Sequence, residues 1–359
     1  MQFSFDPEQQ MLRESVLAMV EPWRSTVGVS GAGVAGDQLW GTLVEGGMTG
    51  VCTPVEAGGS GLGLVEAGCI LETLGAILDS GRFLMSAVLA TQLLSRAKGD
   101  GSLELLARLA SGHLKASVLL SHESDGVFQL HDGKVLVDCG PTFAAVDGDL
   151  VVMVVRGRDP DLPTLFVYSS NTPHLRFEEL PVPDVTRRVH TVRRCALPVG
   201  DATAQYVLPR DAALKLRPMA AAALSAQILG GAGEVLELAC QYARERTQFG
   251  GPIGRFQAIK HLLADDRVML DGLRSLTYAA LWQLSADAQD GVATAYAAKS
   301  WAADMYGRVA SDAIQVHGAM GIAAESRPHR YLKRALVDRV MFGAPSLYLG
   351  ALHEFNAIL

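Results

Sequence analysis

The chain has 359 residues, 49% hydrophobic and 19% charged, with a formal net charge of −7. That length suggests two or three domains with a sizeable core, and an acidic balance without a basic block argues against nucleic acid as a partner. No run of eighteen uncharged apolar residues occurs, so no membrane span is expected. Five widely spaced cysteines with no CxxC pair fit reduced thiols. The N-terminal "MQFSFDPEQQMLRESV" lacks the positive start and apolar core of a signal peptide, so a cytoplasmic location is expected.

In chain order, residues 6–21 begin with an Asp-Pro helix start and place Met11, Leu12, Val16, Met19 and Val20 at helical spacing. A second helical run from Asp37 leads into the glycine loop "GGSGLG" at 58–63. Helical periodicity covers Ser60 to Ala97, and Gly101 and Gly112 bracket a further short helix. Residues 1–112 are therefore expected to form an N-terminal helical domain. The texture then changes to short β-branched runs such as "LKASVLLS", "LVVMVVRG" and "TLFVYSS", broken by Asp-Gly, Pro and Asn, which predicts an antiparallel β domain over 113–208. From Pro209 the helical period returns as one long helix, a second with Phe256, Ile259, Leu263, Leu270 and Leu273 on one face, a third ending at "QVHG", and a fourth from about Ser326. Residues 209–359 thus predict an up-down four-helix bundle, and the whole chain an α+β, mainly α, fold.

Two glycine runs, "GGSGLG" (58–63) and "GGAGE" (230–234), do not follow strands, so neither reads as a dinucleotide loop. One reads as a helix-linking turn and the other as a small-residue packing site. His317, His329 and His353 lack a metal-ligand pattern and read as structural or exposed, and no GxSxG elbow is present. More unusual is "RERTQFGGPIGRFQ" (244–257), which gathers three arginines, two glutamines and two phenylalanines where an ordinary helix connection needs none.

That run, with "DPEQQMLRESV", "PVEAGGSGLGLVEAGCILETLG", "VPDVTRR" (182–188) and "QVHGAMGI" (315–322), resembles the acyl-CoA dehydrogenases over nearly the whole chain. The R-x-x-F-G-x-x-I-x-x-F-Q and Q-x-x-G-x-x-G patterns carry the likeness most strongly, the β domain least. The resemblance implies an FAD enzyme whose flavin lies at a subunit interface, with these two segments reaching toward a flavin seated mainly on the neighbouring chain. Arg246 would offer its guanidinium to the FAD pyrophosphate, the charge-assisted contact arginine makes best. Gln248 and Gln315 would bond phosphate or ribose oxygens, Phe249 and Phe256 would face the adenine, Gln257 would add a polar edge, and Gly318 and Gly321 would permit close backbone approach.

The same resemblance marks departures. The family's chemistry removes an α-proton with a carboxylate, which must reach the proton it accepts. At the spacing where most members carry a glutamate after the Q-x-x-G motif, this chain has Phe342; at the alternative position on the helix before R-x-x-F-G it has Ala220. The T-E-P-x-x-G-S-D and W-I-T/S segments of the β domain are replaced by "LLSHESDGVFQL" and "VLVDCGPTFAAV", with Ser124 and Asp125 as a remnant. The implied protein is a base-lacking subunit similar to those of actinobacterial two-chain acyl-CoA dehydrogenases that shorten steroid side chains. It would lend interface contacts to an FAD shared with a paralogous catalytic acyl-CoA dehydrogenase subunit, with an acyl-CoA as substrate and an electron-transferring flavoprotein as acceptor. The alternatives are a self-sufficient homotetramer using Glu325 or Asp338 as base, or a flavin-free scaffold or CoA-ester binder.

Overall fold

The first helix starts on a reciprocal cap. The Asp6 carboxylate accepts the Gln9 N–H at 2.8 Å and the Gln9 side-chain oxygen accepts the Asp6 N–H at 3.2 Å. In this computed structural model, which describes residues 5–24, 34–121, 127–143, 148–156, 159 and 162–358, that cap opens α1 (Pro7–Arg24). The Gln9 amide donates at 2.8 Å to Glu66, whose other oxygen accepts the Gly63 N–H at 2.9 Å, so one carboxylate ties α1 to the start of α3 (Leu64–Ala76). Between them lies α2 (Val34–Glu45). The 58–63 run is the helix-linking turn its sequence predicts: a Cβ on Gly59 would stand 2.2 Å from the Thr53 carbonyl oxygen. The helical stretch to Ala97 is not one helix. After α3 the chain turns and resumes as a fully buried π-helix (Leu84–Ala90) that runs into α4 (Thr91–Leu94), with α5 (Ser102–Ala110) following.

Among the described residues, eight strands form the middle sheet: β1 (Ala116–Leu119), β2 (Phe128–His131), β3 (Lys134–Phe143), β4 (Leu150–Arg156), β5 (Thr164–Ser169), β6 (Glu178–Leu180), β7 (Val189–Pro198) and β8 (Ala204–Val207). The order is β6-β7-β3-β2-β4-β5-β8, and the sheet is mixed rather than antiparallel as expected. The reason lies in β1 and β2, which run end to end along one edge of β4, both parallel to it, with Ala116 opposite Leu150 and Phe128 opposite Val155. The period of two along β4 divides its apolar residues between two cores. Val152 and Val154 pack into the large helical core, while Val151, Met153 and Val155 join Phe166, Tyr168 and Leu197 on the other face. In β3 the pairing with β7 shifts between Val137 and Thr142, so the Gly140-Pro141 stretch departs from regular ladder.

In the C-terminal part, the expected first helix is broken at Lys215 into α6 (Arg210–Leu214) and α7 (Leu216–Glu245). Helix α7 is the hub of the molecule. A Cβ on Gly230 would stand 1.7 Å from the Glu72 carbonyl oxygen and one on Gly231 2.3 Å from the Tyr306 hydroxyl, so "GGAGE" lets α7 press against its neighbours. This helix is long and apolar enough to cross a membrane, but 89% of its most apolar window is buried inside the fold, which makes it a core helix. After a small hairpin come α8 (Gln257–Ser285) and α9 (Gly291–His317). The expected fourth helix is two, α10 (Pro328–Asp338) and α11 (Pro345–Ile358), because Phe342 (φ 60°) and Gly343 (φ 134°) leave the helical region and Pro345 opens the next helix.

Where helices and sheet meet, the "VPDVTRR" segment buries an ionic cluster. Arg187 pairs with Asp338 of α10 and donates at 2.8 Å to Gln227 of α7 and at 3.2 Å to the Asp79 carbonyl. Arg334 of α10 pairs with Asp184 and donates at 2.9 Å to the carbonyls of Leu78 and Asp79 and at 2.5 Å to the Thr186 hydroxyl. Burial alone would raise the Asp184 carboxyl, but Arg334 overrides it and holds the group below its ordinary value. One cluster thus joins the N-terminal helices, the β domain and the C-terminal bundle.

Candidate functional site

The first candidate surface lies where α7 ends. Arg246 caps the helix, its N–H bonded to the Tyr242 carbonyl at 2.8 Å and its own carbonyl accepting the Ile253 N–H at 2.8 Å. Thr247-Gln248 and Gly251-Pro252 form β9 and β10 of a two-residue hairpin. Phe249 and Gly250 at its tip have φ of 50° and 81°, the double positive φ of a type I′ turn. A phenylalanine there carries a backbone cost of about 1–2 kcal/mol, and its ring is 87% exposed. Such a residue stabilises neither the turn nor the core. Its ring meets Phe256 edge-on at 6.1 Å.

The second sequence motif arrives at the same end. His317, the last residue of α9, stacks on Tyr242 of α7 at 4.3 Å, which sets the C-terminal ends of α7 and α9 side by side. Gly318 (φ 61°, ψ −140°) takes a backbone shape closed to other residues. Gly321 packs where a Cβ would meet the Ile314 carbonyl at 2.8 Å. Arg246, Gln248, Gln257 and Gln315 are all exposed, and among the described residues none of their side chains has a hydrogen-bond or ionic partner. These side chains belong to segments at or near the adjoining ends of α7 and α9, with their donors uncommitted.

The two positions where the resemblance would place a base, Phe342 and Ala220, lie deeper. Phe342 is 5% exposed and lines a cavity of about 260 Å³, together with Ser121 at the end of β1, Thr142 of β3, Arg217 of α7 and Leu347 of α11. The cavity is thus walled in part by the "LLSHESDGVFQL" and "VLVDCGPTFAAV" segments, of which Ser124 and Asp125 lie outside the described residues. Ala220 is fully buried one turn beyond Arg217 and does not line it. Among the described residues no carboxylate does. The Phe342 ring packs 5.4 Å from the Phe143 ring, over which the Arg187 guanidinium lies at 4.1 Å from the centroid.

The alternative bases, Asp338 and Glu325, lie away from this cavity. Asp338 is 1% exposed and committed to Arg187, and Glu325 is exposed; neither lines the cavity. Sequence reasoning did not foresee Arg217, which lies inside an apolar helical pattern, nor the ionic role of Asp184, Thr186 and Arg187. A second buried carboxylate, Asp266 of α8, is fully buried, and burial and then the facing Asp312 of α9 push it up to about 7. The described residues contain no group of three or more potential metal ligands.

Paired helical domains around a β sheet, with a hairpin and a glycine turn converging at the end of the bundle, match a known architecture. The acyl-CoA dehydrogenase N-terminal domain matches residues 6–113 and the acyl-CoA dehydrogenase C-terminal domain residues 212–352. The chain belongs to the acyl-CoA dehydrogenase family. It is 30% identical over 336 residues to the acyl-CoA dehydrogenase IpdE2 of Mycobacterium tuberculosis, covering 91% of each chain. Its fold is similar to a chain of the ChsE4-ChsE5 complex from Mycobacterium tuberculosis (TM-score 0.86, 23% identity, 100% of both chains). It is also similar to a variant of the Tcur3481-Tcur3483 steroid ACAD (TM-score 0.84, 23% identity, 98% of both chains).

Proposed function

We propose that this chain is the base-lacking subunit of a heteromeric, FAD-dependent acyl-CoA dehydrogenase, one that lends interface contacts to a flavin seated on a paralogous catalytic chain. One contrast carries the reading: uncommitted polar side chains and a strained, exposed Phe249 at the bundle end, against a cavity whose base position holds Phe342 and whose described walls carry no carboxylate. The residues present fit a group held from outside. Arg246 suits a pyrophosphate, Gln248, Gln257 and Gln315 suit phosphate or ribose oxygens, Phe249 and Phe256 suit an adenine face, and Gly318 lets backbone approach closely.

Bound FAD would supply the hydride acceptor; this chain's part is to grip and orient it. The proton would go to a carboxylate on the partner, since Phe342 and Ala220 cannot accept one. A steroid side-chain CoA ester is the proposed substrate class, supported by the likeness to the steroid ACAD, and an electron-transferring flavoprotein the proposed acceptor.

The test is Arg246→Ala in the co-expressed complex. Losing a charge-assisted contact of roughly 1.5–3 kcal/mol weakens flavin binding about 10- to 150-fold. Unchanged flavin affinity in an intact complex would rule out the trans contact.

A further inference from the structure

The cavity beside Phe342 is lined by a charged residue that the sequence reading did not single out. Arg217 is 3% exposed, and its guanidinium crosses between two parts of the fold. One nitrogen donates at 2.7 Å to the Ser121 carbonyl at the end of β1; the other donates to the Phe342 carbonyl in the α10–α11 turn. The Phe342 carbonyl also accepts the Tyr348 hydroxyl at 2.8 Å. Two donors on one carbonyl fix Phe342 in its left-handed conformation (φ 60°), where a bulky residue would not settle unaided. The Phe342 ring is thereby kept against Phe143.

Burying a guanidinium is expensive unless its donors are well used, and an apolar side chain would suit a helix whose next residues include four buried alanines, Ala220–Ala223. Here the charge is spent on stitching the β domain to the turn along one wall of the cavity. The remaining space, about 260 Å³, falls below the roughly 300–1,000 Å³ of sites that enclose drug-sized ligands. We infer that Arg217 is a built-in stopper: by bridging Ser121 and Phe342 it shuts this chain's own cavity to a flavin ring or acyl thioester, confining the cofactor to the partner's site. The inference rests on the proposed function only in naming the ligand kept out. Once the guanidinium is gone, the Thr142 hydroxyl, 4% exposed and without a hydrogen-bond partner, is the polar group left to meet an entering ring.

The experiment titrates the full-length chain alone with lumiflavin, the flavin tricycle without phosphates or adenosine, and follows quenching of its fluorescence. Wild type should give no saturable quenching. Arg217→Ala should bind saturably, at least about tenfold tighter than wild type. If the alanine chain does not fold, Arg217→Gln, which is shorter and neutral, gives the same reading. Wild type binding as tightly as the variants, or a folded variant with no saturable quenching, overturns the stopper. Arg246→Ala reads the complex and this titration reads the single chain, so either idea can fail while the other stands.

Discussion

The hairpin end and the Phe342 cavity spend their polar groups in opposite ways. At the hairpin, Arg246, Gln248, Gln257 and Gln315 leave their donors facing outward without a protein partner, and the backbone tolerates a strained Phe249 to present its ring. At the cavity, Arg217 turns its donors inward onto carbonyls, and Tyr348 adds another. The difference teaches how to tell a surface kept for a ligand from one given over to structure. Hydrogen-bonding capacity that the fold leaves unused, at some cost in strain, points outward to a partner; capacity consumed by the fold itself does not.

The largest expected effect sits beneath the cavity. Arg187→Ala strands the buried Asp338 carboxylate without its guanidinium, and denaturant unfolding should show a loss of about 3–5 kcal/mol. Arg246→Ala at the exposed hairpin should move stability by no more than about 0.5 kcal/mol while weakening the flavin of the complex. Comparable stability losses from both would erase the contrast between the two regions.

A smaller effect is expected at the hairpin tip. Phe249→Gly relieves the left-handed backbone and should raise the isolated chain's stability by up to about 1 kcal/mol, while lowering flavin retention in the complex. A gain in stability with full retention would leave the exposed ring without a role.

A separate pH dependence is expected from Asp266 of α8, the helix that follows the hairpin. Its pKa is raised from 3.8 in the unfolded chain to about 7 in the folded one. Between those values the folded state binds more protons than the unfolded state, so this group's contribution to stability is lost as pH rises from about 4 to about 7. Melting temperatures across that window should show Asp266→Asn gaining on wild type as pH rises. A constant gap between the two would contradict the shift.

Much of this was legible in the sequence, and the limits have physical causes. Apolar spacing and turn residues found the three-part architecture, and the R-x-x-F-G and Q-x-x-G patterns marked a hairpin and a glycine turn that follow the adjoining ends of α7 and α9, because backbone shape and glycine placement are local properties. Strand direction is not local: β1 and β2 lie parallel to β4 although each reads as an ordinary short run. Nor is a break such as that at Phe342, which depends on Arg217 and Tyr348 holding one carbonyl from elsewhere in the chain. Arg217 itself reads as one charge inside a long helical run until its partners on other elements are in view.

The central claim is ownership of the flavin, and the most direct measurement is flavin counting on the purified complex of this chain with its paralogous partner. One FAD for every two chains, bound by the complex and absent from this chain alone, is the expected result. One FAD per chain, or acyl-CoA dehydrogenation by this chain without a partner, would contradict it.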